Sequence, residues 1–219
     1  MRSTISTLLI TGTIFIFTLN CDAQRKFEKE KIENLGLQEV KPFIGKVLAW
    51  EDNENYFNNG FYLQTGTEKL LVQFPTHLGS QLTSAITLGN TITVNGVKTN
   101  EPKKIQFVST QINGKVIYNT PPIVQDRTIE KEFLVGSGKI SELQTNKNGN
   151  VRSYVVDEKT ILHISRNVAS NLGKLAVIGA KIGYSGIKRN QQEGEVATAN
   201  FTIIDCQTIT INGKEYLAN

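Results

Sequence analysis

An internal repeat constrains the fold of this chain more than any other feature. Residues 74–96 can be set over residues 164–186 with a constant offset of 90, and "TQINGKVIY" (110–118) matches "ITINGKEYL" (209–217). The identical positions in the first match include Leu82 with Leu172, Gly89 with Gly179 and Gly96 with Gly186. Identity is low, but the order of features is the same in both copies. The chain is therefore predicted to build one structural unit twice.

Each copy has the same series of predicted elements. A strand ("GKVLAW" or "GKISEL") leads through a polar turn to a second ("FYLQT" or "RSYVVD") and a third ("KLLVQF" or "TILHIS"). A fourth strand ("TITVNGV" or "AKIGYSG") and a fifth ("IQFVSTQI" or "FTIIDCQTITI") end the unit. The Asn148-Gly149 pair is a strong hairpin signal between the first two strands of copy two.

A short helix is predicted between the third and fourth strands. In copy one, Leu78, Leu82 and Ile86 are spaced to lie on one helical face. Pro75 suits the start of such a helix, and Gly89 suits its end. In copy two the corresponding apolar residues are Val168, Leu172 and Leu175 or Ala176.

Five strands with one helix between the third and fourth resemble the OB-fold, a small Greek-key barrel. We therefore expect an all-β protein of two tandem OB-like barrels, over residues 41–119 and 134–219, joined by a linker at 120–133. The chain is also similar to exported bacterial proteins that carry OB-like units, in which a segment like "QFPTHLG" follows strand three. That resemblance implies a fold and a location, and it carries over no catalytic residue.

The N-terminal residues are typical of export. One Arg is followed by an apolar run and a short polar exit, so residues 1–23 are predicted to be a signal peptide cleaved after Ala23. The alternative is a lipoprotein acylated at Cys21. The apolar run is shorter than the roughly 20 residues of a membrane-spanning helix. Residues 24–40 are predicted to be a charged leader, and the mature protein is expected to be secreted or periplasmic.

Cysteine and charge exclude some classes of protein. The only two cysteines are Cys21 and Cys206, so no disulfide framework is expected, and Cys206 is predicted to be a buried small apolar residue. The formal net charge of +4 is unchanged when residues 1–23 are removed. A mildly basic chain allows an anionic partner without implying one.

His77 is the residue at which the sequence most invites a catalytic or metal-binding interpretation. In the repeat it faces Asn167, so the element forms without imidazole at that position. A transition-metal site needs three or four converging ligands, and the chain has no HxxxH or CxxC pattern. We therefore expect a structural histidine that hydrogen-bonds a backbone group, with no metal and no cofactor.

The candidate ligand-binding residues lie on the second and third strands. Alternation along strand three points Gln73 and His163 outward, and the same reasoning points Tyr62 and Tyr154 outward from strand two. This outer face is where OB-folds bind their ligands, and a Tyr beside a Gln or His suits stacking and hydrogen bonding to a base or sugar. Ordinary cross-strand packing is the alternative.

Two loops add further candidates. Copy one has Trp50, Tyr56 and Phe57 around its first turn, and copy two has Lys188 and Arg189 in an insertion of nine residues. Either both loops line one groove, with aromatic residues at one end and cations at the other, or they are solvated loop tips.

Motifs for catalysis are lacking. The chain has no GxSxG, P-loop or GxGxxG pattern. The expected function is an exported, non-enzymatic interaction module of the cell envelope, with an unknown protein or a polymeric ligand, a glycan or nucleic acid, as partner. The alternative is oligonucleotide or oligosaccharide binding through the outer faces of strands two and three.

Overall fold

The computed structural model describes residues 36–122, 131–146 and 148–218. The predicted signal peptide, the cleavage site, Cys21 and most of the leader lie outside these residues and stay predictions. Within the described ranges no helix is long and apolar enough to cross a membrane.

Barrel 1 is a closed, five-stranded Greek-key barrel. Its sheet order is β3-β2-β1-β4-β5, and β5 pairs in parallel with β3, which closes the barrel. Helix α1 lies between β3 and β4, as the sequence predicts. The elements are β1 (Lys41–Asp52), β2 (Asn58–Thr65), β3 (Glu68–Gln73), α1 (Gly79–Ala85), β4 (Thr91–Lys98) and β5 (Lys104–Ile112).

Barrel 2 repeats this topology. Its five barrel strands follow the corresponding order, and a parallel pairing between its third and fifth strands closes the barrel. The elements are β7 (Phe133–Thr145), β8 (Val151–Val156), β9 (Thr160–His163), α2 (Arg166–Leu172), β10 (Lys181–Lys188) and β11 (Thr202–Ile211). The predicted fold class, two tandem OB-like barrels with a short helix each, is confirmed.

The helices close one end of each barrel with the residues that the spacing indicates. Leu78, Leu82 and Ile86 are buried in the core of barrel 1, and Leu172 and Ala176 in that of barrel 2. A 3-10 turn at Thr76–Leu78 leads into α1. After the helices, Gly89 and Gly179 adopt φ angles of 90° and 86°, a backbone conformation that favours glycine.

Each five-stranded barrel is followed by a sixth strand, paired with the fifth, that was not predicted from the sequence. Strand β6 (Lys115–Tyr118) forms a hairpin with β5, and β12 (Lys214–Leu217) forms one with β11. The turn residues, Asn-Gly in both cases, all have positive φ, as a two-residue hairpin of type I′ requires. This "NG" signal stands in the repeated segments 110–118 and 209–217 and was sufficient to predict both hairpins.

His77 is a structural residue. Its Nε2 lies 2.7 Å from the carbonyl oxygen of Thr120 and donates to it, since a carbonyl only accepts. In barrel 2, Ser165 N donates to Ala218 O at 2.8 Å. The residues at these two positions in barrel 1 are Pro75, which has no N–H to donate, and Asn119, the residue before Thr120. His77 therefore bonds the chain one residue beyond the position that Ser165 contacts in barrel 2.

Candidate ligand-binding cleft

The two barrels share an apolar cluster. Phe57, which precedes β2 of barrel 1, packs against Val155, Ile161 and Ile203 on the outside of barrel 2. All four side chains are at most 5% exposed. Barrel 1 therefore covers part of the outer face that OB-folds commonly use for binding.

The insertion after β10 makes the second contact between the barrels. We call residues 189–200 the clasp. Its backbone carbonyls at Gly194 and Val196 accept hydrogen bonds from Ser80 N and Asn58 N, at 2.8 and 2.9 Å. An isolated bridge joins Phe57 to Ala197. The clasp is therefore neither a solvated loop tip nor the wall of a groove, because it packs on barrel 1.

Two predicted ligand-binding cations are engaged within the protein. Arg189 Nη2 lies 2.7 Å from Oε1 of Glu195, whose side chain is fully buried, and the guanidinium stands over the ring of Phe57. Glu195 also accepts from Thr76 Oγ1 at 2.9 Å. Lys188 pairs with Glu132 at 2.7 Å. Arg189 holds the clasp in place, and a role in ligand binding stays a prediction.

Tyr154 is the clearest correction. The sequence analysis placed it outside, but it is 1% exposed and belongs to the core of barrel 2. Its counterpart in barrel 1 is Phe61, since Phe61 pairs with Val72 as Tyr154 pairs with Leu162. Matching Tyr154 by residue type to Tyr62, the neighbour of Phe61, is an error of one residue, and a one-residue slip exchanges the two faces of a strand. Burial raises the pKa of Tyr154.

Three other candidates lie on barrel 1. Trp50 is partly buried and meets Phe61 and Phe74 edge to face, at centroid distances of 5.7 and 6.4 Å, so it extends the core. Its expected contact with a ligand stays a prediction. Tyr62 does lie on the outer face, with the ammonium of Lys69 3.8 Å from its ring centroid. Gln73 is partly buried and pairs with Gly60 across the sheet.

On barrel 2, a row of polar residues crosses four strands of the outer face. Gln144 pairs with Ser153, Ser153 with His163, and His163 with Asp205. His163 Nδ1 lies 3.0 Å from Oδ1 of Asp205. Its Nε2 lies 2.6 Å from Oδ1 of Asn55, which belongs to barrel 1. His163, a predicted site residue, therefore stands where the two barrels meet.

A cleft of about 290 Å³ opens beside His163. Both barrels contribute to it, since Glu54 comes from the β1–β2 turn and the other residues from barrel 2. The lining residues are Glu54, Val151, Arg152, Ser153, His163, Ile164 and Arg166. Of these, the sequence analysis identified only His163.

A β-bulge explains why Arg152 reaches the cleft. Gln144 pairs with Ser153 and Thr145 pairs with Val151, so Arg152 is an extra residue in β8. Such a bulge bends the strand and redirects a side chain. Asn59 is the extra residue at the same place in β2, so the bulge belongs to the repeated unit. No sequence pattern marks it.

One buried polar atom near the cleft has no hydrogen-bond partner among the described residues. It is Oε1 of Gln144, whose cross-strand neighbour Ser153 lines the cleft and is 1% exposed. Because a buried polar group without a partner is costly, this atom favours an additional hydrogen-bond donor at this place.

Comparisons with known proteins add no functional argument. No protein family matches the chain, and no curated protein is similar to it. Similar solved structures include the p204 HINb domain, with 11% identity over 80% of this chain and 98% of that one, and the tetrameric p202 HIN2, with 12% over 80% and 95%. A third, described as "Structural mimicry for functional antagonism", has 13% identity over 77% and 94%. The TM-score is 0.28 in each case, so the fold is assigned here from the strand pairing alone.

The chemistry of the cleft is that of an anion site. Two arginines outnumber one carboxylate among its lining residues. In the described ranges, no group of three or more His, Cys, Asp or Glu side chains is placed to hold a metal ion. Guanidinium groups bind carboxylates and phosphates in a planar, two-pronged geometry.

Proposed function

We propose that this protein is an exported binding module that works without enzymatic turnover and holds its partner in the cleft beside His163. One observation carries the proposal. The cleft brings Arg152 and Arg166 together with Ser153, beside the outer face of the second and third strands of barrel 2.

The link between the barrels supports a binding role. Phe57 and the clasp fix the β1–β2 turn of barrel 1 against barrel 2, so the cleft is formed before any ligand arrives. A preformed site loses less conformational entropy on binding than a flexible one.

Oligonucleotide or oligosaccharide binding has less support at this cleft. Such ligands stack on aromatic side chains, yet Tyr154 is buried and Trp50 packs on the core. No Phe, Tyr or Trp is among the described residues that line the cleft. The outer face of barrel 1, with Tyr62, Lys69 and Gln73, is the surface on which we would expect an oligonucleotide or oligosaccharide to bind.

Catalysis is a second candidate function. The observation that favours it is that Ser153, His163 and Asp205 lie side by side on neighbouring strands. A serine hydrolase needs His Nε2 to take the proton of the serine hydroxyl. Here Nε2 is bound to Asn55, and Ser153 makes no hydrogen bond to His163. The arrangement lacks the contact that would activate the nucleophile.

A fluorophosphonate probe separates binding from hydrolysis. We expect mass spectrometry of the treated protein to find Ser153 unmodified, while a serine hydrolase treated in parallel is fully labelled. Stoichiometric labelling of Ser153 that is lost in His163→Ala would establish a nucleophile and overturn the non-enzymatic proposal.

Binding at the cleft is tested by nuclear magnetic resonance of the full-length mature protein. Three probes are added separately: a dT 12-mer, an acidic oligosaccharide, and the tripeptide N-acetyl-Leu-Glu-Leu-amide. At least one should shift the backbone amides of Arg152, Ser153 and His163. The shifts should disappear in Arg152→Gln and persist in Lys174→Gln, a matched change of an exposed cation outside the cleft. If no probe shifts these amides, the proposed site is wrong.

Export and a role in the cell envelope rest on the N-terminal pattern alone. The corresponding test is mass spectrometry of the native protein after cell fractionation. We expect a mature N-terminus at Gln24 in the periplasmic or extracellular fraction. An acylated Cys21 would instead establish the lipoprotein alternative, and recovery of the intact chain in the cytosol would refute export.

A further inference from the structure

The cleft contains one negative charge of its own, and that charge is weakly held. Glu54 Oε1 lies 3.9 Å from Arg152 Nη1, at the long end of ion-pair distances, and both side chains are 52% exposed. Exposed pairs of this kind contribute little to stability. A ligand can therefore separate Glu54 from Arg152 at small cost.

The position of Glu54 is nevertheless well defined, because the turn that carries it is ordered by hydrogen bonds. Asn53 Oδ1 accepts from the backbone N–H groups of Asn55 and Phe57, at 2.9 and 3.1 Å. Asn55, the residue after Glu54, is hydrogen-bonded to His163 of barrel 2. The turn thus places the carboxylate of Glu54 in the cleft beside two arginines of barrel 2, Arg152 and Arg166, which we call the cationic wall.

The cationic wall has two arginines that arrive from different elements. Arg152 stands in the bulge of β8, and Arg166 is the first residue of α2. Both are exposed and both line the cleft. Of these two, Arg152 has the long contact to Glu54. Two guanidinium groups around one opening form a receptor for a single oxyanion, to which the Ser153 hydroxyl can add a hydrogen bond.

Apolar side chains complete the cleft. Val151 and Ile164 line it together with the arginines, and both are partly buried. A ligand that fits this surface carries an acidic group next to an apolar one. An acidic peptide segment has that combination, whereas a nucleic-acid backbone needs a longer series of cations and stacking aromatics.

We propose that the cleft recognises the carboxylate of an acidic peptide segment flanked by apolar side chains, and that Glu54 is an internal carboxylate that the ligand displaces from Arg152. This inference rests on the proposed binding function and adds the class of partner. It also predicts that neutralising Glu54 strengthens binding of the peptide, because the ligand then no longer competes with an internal carboxylate for Arg152.

The experiment compares N-acetyl-Leu-Glu-Leu-amide with N-acetyl-Leu-Gln-Leu-amide, titrated into the full-length mature protein and followed by the amide signals of the cleft. The Glu peptide should bind at least about fivefold more tightly than its Gln analogue, because a charge-assisted hydrogen bond is roughly twice as strong as a neutral one. Raising the salt concentration should weaken the Glu peptide only, since salt screens exposed charges.

Three variants test the residues. Arg152→Gln and Arg166→Gln should each weaken the Glu peptide by about fivefold or more, and Glu54→Gln should tighten it by about threefold, as loss of one exposed ion pair allows. All three side chains are exposed, so the variants should fold, which their amide spectra will show. Lys174→Gln should leave the affinity unchanged.

The outcomes separate this inference from the proposed function. Equal binding of the Glu and Gln peptides, or weaker binding in Glu54→Gln, overturns the carboxylate and its displacement. If the dT 12-mer shifts the cleft amides in an Arg152-dependent way and the peptides do not, the site stands and the class of ligand is wrong. If no probe reaches these amides, both proposals fail.

Discussion

His163 of barrel 2 is hydrogen-bonded to Asn55 of barrel 1, with 2.6 Å between Nε2 and Oδ1. The opposite ring nitrogen contacts Asp205, so one side chain joins the outer face of barrel 2 to the turn that carries Glu54. This bond, the Phe57 cluster and the clasp together determine where the cleft lies.

His163→Ala should therefore destabilise the protein although the residue lies outside both cores. Loss of one partly buried hydrogen bond, to Asn55, and one exposed hydrogen bond, to Asp205, predicts a decrease of about 1–2 kcal/mol in the free energy of unfolding, measured by urea denaturation. Lys188→Ala removes a more exposed ion pair and should change it by less than about 1 kcal/mol. Equal effects of the two substitutions would mean that the contact to Asn55 contributes nothing.

Phe57→Ala should uncouple the two barrels. The side chain is 5% exposed and fills the cluster with Val155, Ile161 and Ile203, so its removal should cost about 3–5 kcal/mol. Scanning calorimetry should show one unfolding transition for the natural protein and two for the variant. A single, cooperative transition in the variant would show that the clasp alone couples the barrels.

Gly194→Ala should detach the clasp. The residue has a φ of +83°, and an added Cβ would collide with the carbonyl group of His77. Gly114→Ala is a matched control, since Gly114 has a φ of +80° and nothing within 4 Å of an added Cβ. The control should lose only about 1–2 kcal/mol from backbone strain, and Gly194→Ala clearly more. Comparable thermal stability of the two variants would contradict the docking of the clasp.

Cys206 should make stability fall at high pH. Burial, with a smaller contribution from the charge of Asp205, raises the pKa of the thiol from 9.0 to about 12. The unfolded chain releases this proton at a lower pH than the folded one, so the contribution is complete below pH 9.0 and is lost between pH 9.0 and about 12. Urea denaturation at pH 7.5, 9 and 10 should show a steeper decline for the natural protein than for Cys206→Ala. Parallel declines would contradict the burial of the thiol.

The sequence by itself determined the architecture, because that information is local and repeated. Leu78, Leu82 and Ile86 mark one face of a helix, and the order of strands and helix in both copies indicates the OB-like topology. The burial of Cys206 was predicted from its apolar strand and the lack of a second mature cysteine, and the backbone hydrogen bond of His77 from the comparison of copies; both agree with the structure.

Register within a strand was decided only by the folded chain. The hairpin between β2 and β3 is three residues longer than that between β8 and β9, since Phe61 pairs with Val72 and Tyr154 with Leu162. The repeat offset therefore changes inside the hairpin, at a place that low identity cannot reveal. A one-residue error was enough to move Tyr154 from the core to the surface.

The cleft was likewise decided by tertiary structure. Glu54 stands far in sequence from Arg152 and Arg166, the three residues lie in a turn, a strand and a helix, and no motif connects them. They line one cleft because the clasp and Phe57 hold the two barrels together, and because a bulge redirects the side chain of Arg152. Local periodicity indicated the helix residues that enter each core, but it contains no information about how two finished barrels pack, since that depends on surfaces that exist only after folding.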